Sequence, residues 1–356
     1  RLHLPGPNEN PPLLFKSARP ASVKGKRMGC LAQLYATLAH ASEQRVRAAA
    51  ARYVHPEVTW CVAHPVNDLH GVDEVVERFL LPLRAALPDM ERRPHIALAG
   101  EYRGKHWEDG AGYFLGTFSA SLWGIPASGR SLYLRYTELA CIEEGRIIEY
   151  YLIPDFLDAM HQVGVYPLQP SLGVPGSVLP PATLDGIYPR CDDAAYSAAS
   201  EQLVMAMLDC LRRYDGHTLE SMDLENYWHP DFMWYGPGGI GTTRGIEGFR
   251  RHHQGPFLAA FPDRDVDFHA NTIACGDYVA TGGWPHMHGT HRGGGWLGVD
   301  ATQRKISLRV MDIWRREGDL LRENWVAIDI PDMLSQMGLD VFDRIKALTD
   351  AGVPHG

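Results

Sequence analysis

The sequence predicts an α+β protein made of two tandem copies of one domain, and three observations carry that prediction. The chain repeats itself in register, helix-like segments precede strand-like ones within each repeat, and a proline-dense stretch separates the two. Adding 174 to a residue number carries Tyr53, His55, Pro56 and Trp60 onto Tyr227, His229, Pro230 and Trp234. Without a gap, Gly71, Pro82, Pro88, Asp89 and His95 reach Gly245, Pro256, Pro262, Asp263 and His269. Gly124, Arg130, Leu134 and Arg135 reach Gly298, Arg304, Leu308 and Arg309, and Glu149, Asp155, Gln162 and Gly164 reach Glu323, Asp329, Gln336 and Gly338. The period far exceeds the roughly 20–50 residues of solenoid repeats, so each copy is a folding unit with its own core.

Residues 1–27 are rich in proline and basic side chains and lack periodicity, which predicts an extended arm. From Met28 to Tyr53, Leu31, Leu34, Leu38, Val46 and Ala50 fall at helical spacings. A short strand at Val58 to Val62 and a helix after Gly71 follow. The strand-like segments His95 to Leu98, Tyr113 to Trp123, Ser131 to Ile142 and Arg146 to Tyr151 come next, separated by glycine and charged turns. Helices followed by a meander of long strands indicate an antiparallel sheet. The first domain is therefore placed at 28–166, and a stiff linker carrying Pro167, Pro170, Pro175, Pro180, Pro181 and Pro189 at 167–192. The second domain, 193–350, repeats the plan with helices at 194–214 and 246–260 and strands at 231–235, 265–274, 277–291, 305–315 and 320–329.

Composition narrows the function. The chain of 356 residues has a formal charge of -9 and no basic run, which excludes a polyanion such as nucleic acid as its partner and favours a small molecule. No apolar run approaches the roughly 18 residues that cross a membrane, and no secretory signal opens the chain. The six cysteines show no paired spacing and read as reduced thiols, giving a cytoplasmic expectation that stays provisional because residue 1 is Arg.

Particular residues suggest a family. Copy one carries Gly116-Thr117, then Trp123-Gly124-Ile125-Pro126-Ala127-Ser128-Gly129-Arg130, Glu144 to Glu149 and Asp155; copy two keeps the order with Tyr227 to Trp234, Gly289-Thr290-His291, Gly298, Thr302, Arg304, Met311-Asp312-Ile313-Trp314, Glu323, Trp325 and Asp329. This arrangement resembles the SnoaL-like polyketide cyclase family over nearly all of both copies. The resemblance implies two cone-shaped domains of the nuclear-transport-factor-2-like fold, each a curved antiparallel sheet wrapped around helices with an apolar pocket at one end. It also implies cofactor-free acid/base chemistry: aldol closure, dehydration, isomerisation or the reverse lyase reactions.

Strand alternation nominates side chains. Ile306, Leu308, Val310, Asp312 and Trp314 share one face, so an acid sits on an otherwise apolar wall. A two-residue turn at Glu317-Gly318 would set Asp312 opposite Glu323, and such a pair would separate into an acid and a base. Asp312 is the expected base, with Glu323 or His288 as proton donor. His286, His291, Tyr235, Trp284, Trp325 and Asp329 are expected to position or stack on the substrate, as are Glu138 and Glu149 in copy one. Seven histidines between His229 and His291 mark copy two as the better equipped, with His286 and His288 sharing a face with Trp284. His55 and His229, each before proline, read as turn residues, and His252-His253 as solvent-facing.

The expected function is a lyase or isomerase acting without cofactor or metal on a hydrophobic aromatic or polyketide-like carbonyl or hydroxyl compound. Two other classes compete. One is a non-catalytic binding or assembly protein, the copies packing as a pseudo-dimer that could assemble further. The other is a metalloenzyme with His286, His288 and His291 as ligands.

Overall fold

The computed structural model describes residues 29–266 and 271–350. The expected arm at 1–27, together with Met28 and His269, lies outside the described residues. Domain one begins with α1 (Cys30–Ala36) and α2 (Glu43–Tyr53), then β1 (Val54–Val62) and β2 (Asn67–His70). The single long helix expected over this region breaks at Thr37, and Ser42 restarts it by accepting the Arg45 amide at 3.3 Å. Next come α3 (Gly71–Val75), a π-helical turn over 76–80 and α4 (Leu81–Ala86). The domain closes with β3 (Glu91–Tyr102), β4 (Lys105–Thr117), β5 (Ser131–Glu143), β6 (Arg146–Pro154) and α5 (Phe156–Gln162).

Domain two repeats this with α6 (Ala194–Leu211), β7 (Trp228–Tyr235), β8 (Thr243–Arg244), α7 (Gly245–Phe249), a π-helical turn over 250–254 and α8 (Gly255–Ala260). Then follow β9 (Asp265–Val266), β10 (Asn271–Cys275), β11 (Tyr278–Thr290), β12 (Lys305–Glu317), β13 (Leu320–Ile328), α9 (Ile330–Met337) and α10 (Val341–Asp350). The sheets run β2-β1-β6-β5-β4-β3 and β10-β11-β12-β13-β7-β8, with β9 beside β11. All pairs are antiparallel except β1 with β6 and β7 with β13, where the first strand of each copy returns alongside the last. Both sheets curve around their helices without closing.

The inner faces meet the helices and the outer faces meet each other. Gly282 on β11 lies against Leu139 on β5, where a Cβ would come within 2.6 Å of the leucine, so glycine is what lets the strands approach. Asn271 donates to both carboxylate oxygens of Asp109 at 2.8 Å across this boundary. The contact is reciprocal. Asp155 and Asp329, equivalent in the repeat, cap α5 and α9 through the amides of Asp158 and Asp332. Each also reaches into the other copy: Asp155 accepts from the Gly238 amide at 2.8 Å and Asp329 from the His64 amide at 3.0 Å.

The proline-rich segment is held to both domains, since Ala97 on β3 exchanges backbone bonds with Gly186 and Tyr188, and Val174 with Thr242. Cys191 and Cys275 form a disulfide closing an 84-residue separation, while Cys30, Cys61, Cys141 and Cys210 are free and buried. The expectation of six reduced thiols therefore fails for one pair, because two cysteines so distant in sequence carry no spacing signal. No helix among the described residues is long and apolar enough to cross a membrane.

Candidate active site

A cavity of about 140 Å³ opens beneath the sheet of domain two, close to the size of an engineered void that holds one benzene ring. Leu308, Val310, Asp312 and Trp314 supply one wall from alternate positions of β12, and Asn324, Val326 and Ile328 extend it from β13. Trp228 and Trp234 on β7 continue the wall, while α6 and the segment from Phe249 to Leu258 roof it. At the mouth Arg212 and Asp265 pair at 2.8 Å, their side chains 54% and 47% exposed.

Asp312 is the carboxylate on this wall. Among the described residues it accepts one hydrogen bond, from Asn324 Nδ2 at 3.2 Å, and burial pushes its pKa up to about 7 against that bond. Asn324 spends its other contact on the Ile313 carbonyl at 3.2 Å, which fixes the amide that orients the acid. His253 stacks on Trp234 with ring centroids 4.1 Å apart, and burial lowers its pKa to about 3, so it stays neutral.

The structure does not bring Glu323 to Asp312. The hairpin turn is Gly318-Asp319, with Glu317 opposite Leu320, and a bulge follows between Arg315 and Arg316. Asp312 therefore faces Val326, while Glu323 faces Arg315 on the opposite side of the sheet. There Arg315 Nε meets Glu323 at 2.5 Å and the Tyr235 hydroxyl donates to it at 3.3 Å. Trp325 shares that outer face, stacked on Tyr235 and donating to the Leu179 carbonyl at 2.8 Å. Asp329 belongs to the reciprocal contact between the copies and is paired with Arg309 at 3.0 Å.

A second irregularity rearranges the histidines. The β11 register shifts between Gly283 and Met287, so His286 and Met287 both border the cavity instead of alternating. Trp284 turns to the domain boundary, donating to Asp68 at 2.9 Å beneath the Arg309 guanidinium. His288 is exposed and pairs with Asp265 along the β9 edge. His291 is buried outside the cavity, 3.2 Å from the Thr302 hydroxyl and 5.3 Å from the Phe261 ring. Among the described residues no three His, Cys, Asp or Glu side chains converge on a common point, so the proposed His286, His288 and His291 ligand set does not assemble.

In domain one, Glu138 occupies the place of Asp312 but is fully buried, bonded to Arg92 and accepting from the Tyr150 hydroxyl at 2.5 Å. Glu149 lies three residues before Leu152, the partner of Glu138 on β6, and is 2.6 Å from Lys105 Nζ. His55 and His229 hold the same turn in each copy, accepting the Glu57 and Asp231 amides. His253, expected to face solvent, is instead a cavity residue; Phe249, His253 and Phe257 at four-residue spacing were the signal that one helical stripe faces inward. Asn324 gave no such signal.

A curved sheet over helices with a ring-sized apolar cavity beneath it is the architecture of the nuclear-transport-factor-2-like class. Residues 31–163 match the model of the SnoaL-like polyketide cyclase, and residues 204–324 match that of the SnoaL-like domain. The chain belongs to the SnoaL-like family and carries its domain twice. Among solved structures, it is similar to AclR from Streptomyces galilaeus, described as a proposed hydroxylase, at 23% identity over 40% of this chain and 97% of that one, with a TM-score of 0.32. It is also similar to IdmH from Streptomyces antibioticus, a proposed polyketide cyclase, at 24% identity over 39% and 99%, with a TM-score of 0.31. TsrD from Streptomyces laurentii matches at 24% identity over 40% and 96%, with a TM-score of 0.32. No curated protein matches the chain.

Proposed function

We propose that domain two is a cofactor-independent acid/base enzyme, a lyase or isomerase, acting on a hydrophobic aromatic or polyketide-like carbonyl or hydroxyl compound. The observation that carries this reading is Asp312: a lone carboxyl on an apolar cavity wall, held by Asn324 and raised to a pKa of about 7. Such a group is part ionised at neutral pH and can both take and return a proton. In its ionised form it removes a proton from the carbon beside a carbonyl, leaving an enolate. The enolate carbon attacks a second carbonyl, and the protonated acid returns its proton to the resulting alkoxide. The same steps reversed cleave the bond, and loss of the hydroxyl as water gives dehydration. With Glu323 on the other face, one carboxyl serves both proton transfers, and His286 on the cavity wall faces the substrate oxygen.

Domain one serves in this reading as the permanent partner. The reciprocal Asp155 and Asp329 contacts support treating the duplication as a built-in dimer. A cytoplasmic location belongs to the same reading; the Cys191–Cys275 disulfide pulls the other way, since such bonds persist in oxidising compartments.

The test is a screen of aromatic hydroxy-ketones followed by tryptophan fluorescence and product mass, because Trp228, Trp234 and Trp314 line the cavity. Conversion by the wild type and its loss in Asp312→Asn with binding intact is the expected result. Binding without conversion in both would make the protein a carrier.

A further inference from the structure

We propose that the substrate bears a carboxylate, which docks on Arg264 at the mouth of the domain-two cavity while its carbonyl end reaches Asp312. This rests on the reading of that cavity as the acid/base site. Arg264 follows α8 and borders the cavity together with Leu258, Val266 and Met287. One of its N–H groups donates to the Leu211 carbonyl at 3.0 Å, and among the described residues no carboxylate forms an ion pair with it. Asp265, whose charge acts on it, is already engaged by Arg212 at 2.8 Å. Among the described residues the mouth therefore carries one ion pair, Arg212 with Asp265, and one guanidinium, that of Arg264, with no carboxylate bonded to it.

A cation in such a place is costly unless an anion completes it. Burial accordingly lowers its proton affinity, with Asp265 and Tyr214 only opposing the effect. The guanidinium fork is shaped to receive two carboxylate oxygens at once. The repeat supplies an independent argument. Arg264 stands where copy one has Met90, within otherwise similar segments, Leu87-Pro88-Asp89-Met90 and Phe261-Pro262-Asp263-Arg264. Met90 is buried among the hydrophobic residues that fill domain one. At this position of the repeat the cation is thus present only in the copy whose interior is open; the buried Arg92 of copy one lies two residues further on and is paired with Glu138. The cavity accommodates about one ring, which sets the class of ligand: a compact aromatic ketone with an acid group at the end away from the reacting carbon.

The probes are 4-acetylbenzoate and its methyl ester, titrated by tryptophan fluorescence at pH 6, where Asp312 is mostly protonated. The wild type should bind the acid roughly tenfold tighter than the ester, the scale of one charge-assisted contact. Arg264→Gln should erase that preference while leaving the ester's affinity within about twofold, and Arg264→Lys should keep part of it. Equal binding of acid and ester by the wild type would overturn the proposal. So would a parallel loss of both in Arg264→Gln, or no binding of either up to millimolar concentration. Arg264→Lys carries the test if the glutamine variant misfolds.

Deuterium exchange of the acetyl protons, followed by NMR, reads the acid/base function separately. Exchange that survives Asp312→Asn alongside an Arg264-dependent preference for the acid would sink the catalytic reading and leave the anion site standing. Exchange that requires Asp312 without any preference for the acid would do the reverse.

Discussion

Beneath the sheet of domain one, Glu138 is enclosed by Arg92 and Tyr150, with the Tyr35 hydroxyl 2.8 Å from that of Tyr150 and the Phe114 ring stacked 4.4 Å from Tyr136. At the same places in the repeat, domain two has Asp312 for Glu138, Asn324 for Tyr150, Val310 for Tyr136, His253 for Phe79 and Val266 for Arg92. One copy spends its interior volume on large rings and a paired acid. The other replaces them with shorter side chains, leaving a cavity and an acid that has no ion-pair partner among the described residues. A family fold thus supplies the frame, and a handful of substitutions decide whether that frame is filled or open. In the open copy the carboxyl keeps its proton near neutrality, whereas in the filled copy it is committed to an ion pair and a phenol.

The largest effect should follow from removing the one group that differs in kind. Asp312→Asn is expected to lower turnover by roughly 10²–10⁴-fold, the range of general acid/base contributions, with ligand binding retained. In the wild type, turnover that begins with proton removal should rise with pH through about 7 as Asp312 ionises. The stability effect has a definite sign. The folded state holds the Asp312 proton more tightly than the unfolded state, so this group costs stability as pH rises from the ordinary carboxylate range to about 7. Asp312→Asn should accordingly gain on the wild type in thermal melts at pH 8 and not at pH 4.

The matching change in the filled copy should act on stability. Glu138→Gln leaves Arg92 buried without its counter-charge, and denaturant unfolding should show a loss of about 3–5 kcal/mol. Turnover per folded molecule should stay at the wild-type level; a fall matching that of Asp312→Asn would show that copy one also performs chemistry.

Converting the open copy toward the filled one gives a smaller effect. The double variant His253→Phe with Asn324→Tyr places copy-one rings in the cavity. Affinity for an aromatic ketone, measured by tryptophan fluorescence, should fall roughly tenfold, since displacing packed side chains costs about 1–3 kcal/mol.

The smallest change expected is in Asn324→Ala, which removes the hydrogen bond that stabilises ionised Asp312. The rising limb of the pH–rate profile should move upward by roughly one unit, a hydrogen bond to a charged group being worth about 1.5–3 kcal/mol.

The sequence made the duplication, the order of elements and the apolar face around Asp312 legible, because side-chain alternation and helical spacing are local properties. It misplaced Glu323 because the extra residue Arg322 on β13, skipped between the partners of Arg315 and Arg316, leaves no mark in composition yet moves every later partner to the other face. The register shift in β11 did the same to Trp284 and His288. Glycine-rich Asp109-Gly110-Ala111-Gly112 hid the first half of β4, where close approach of Pro94 and Arg93 on β3 demands small residues. Tyr235, Trp325 and Asp329 were read as ligand-facing because an aromatic or acidic residue in a strand looks alike from either side. Only the second copy, packed against the outer face, decides which side is pocket and which is contact.

The paired Asp155 and Asp329 bonds have a consequence beyond packing. Two separate domains joined by the same contacts would come apart on dilution, and their folded fraction would depend on how much protein was present. A covalent connection makes the local concentration of one half around the other a constant of the molecule. The open copy thus keeps its neighbour at any abundance, and unfolding midpoints of the intact chain should be independent of protein concentration.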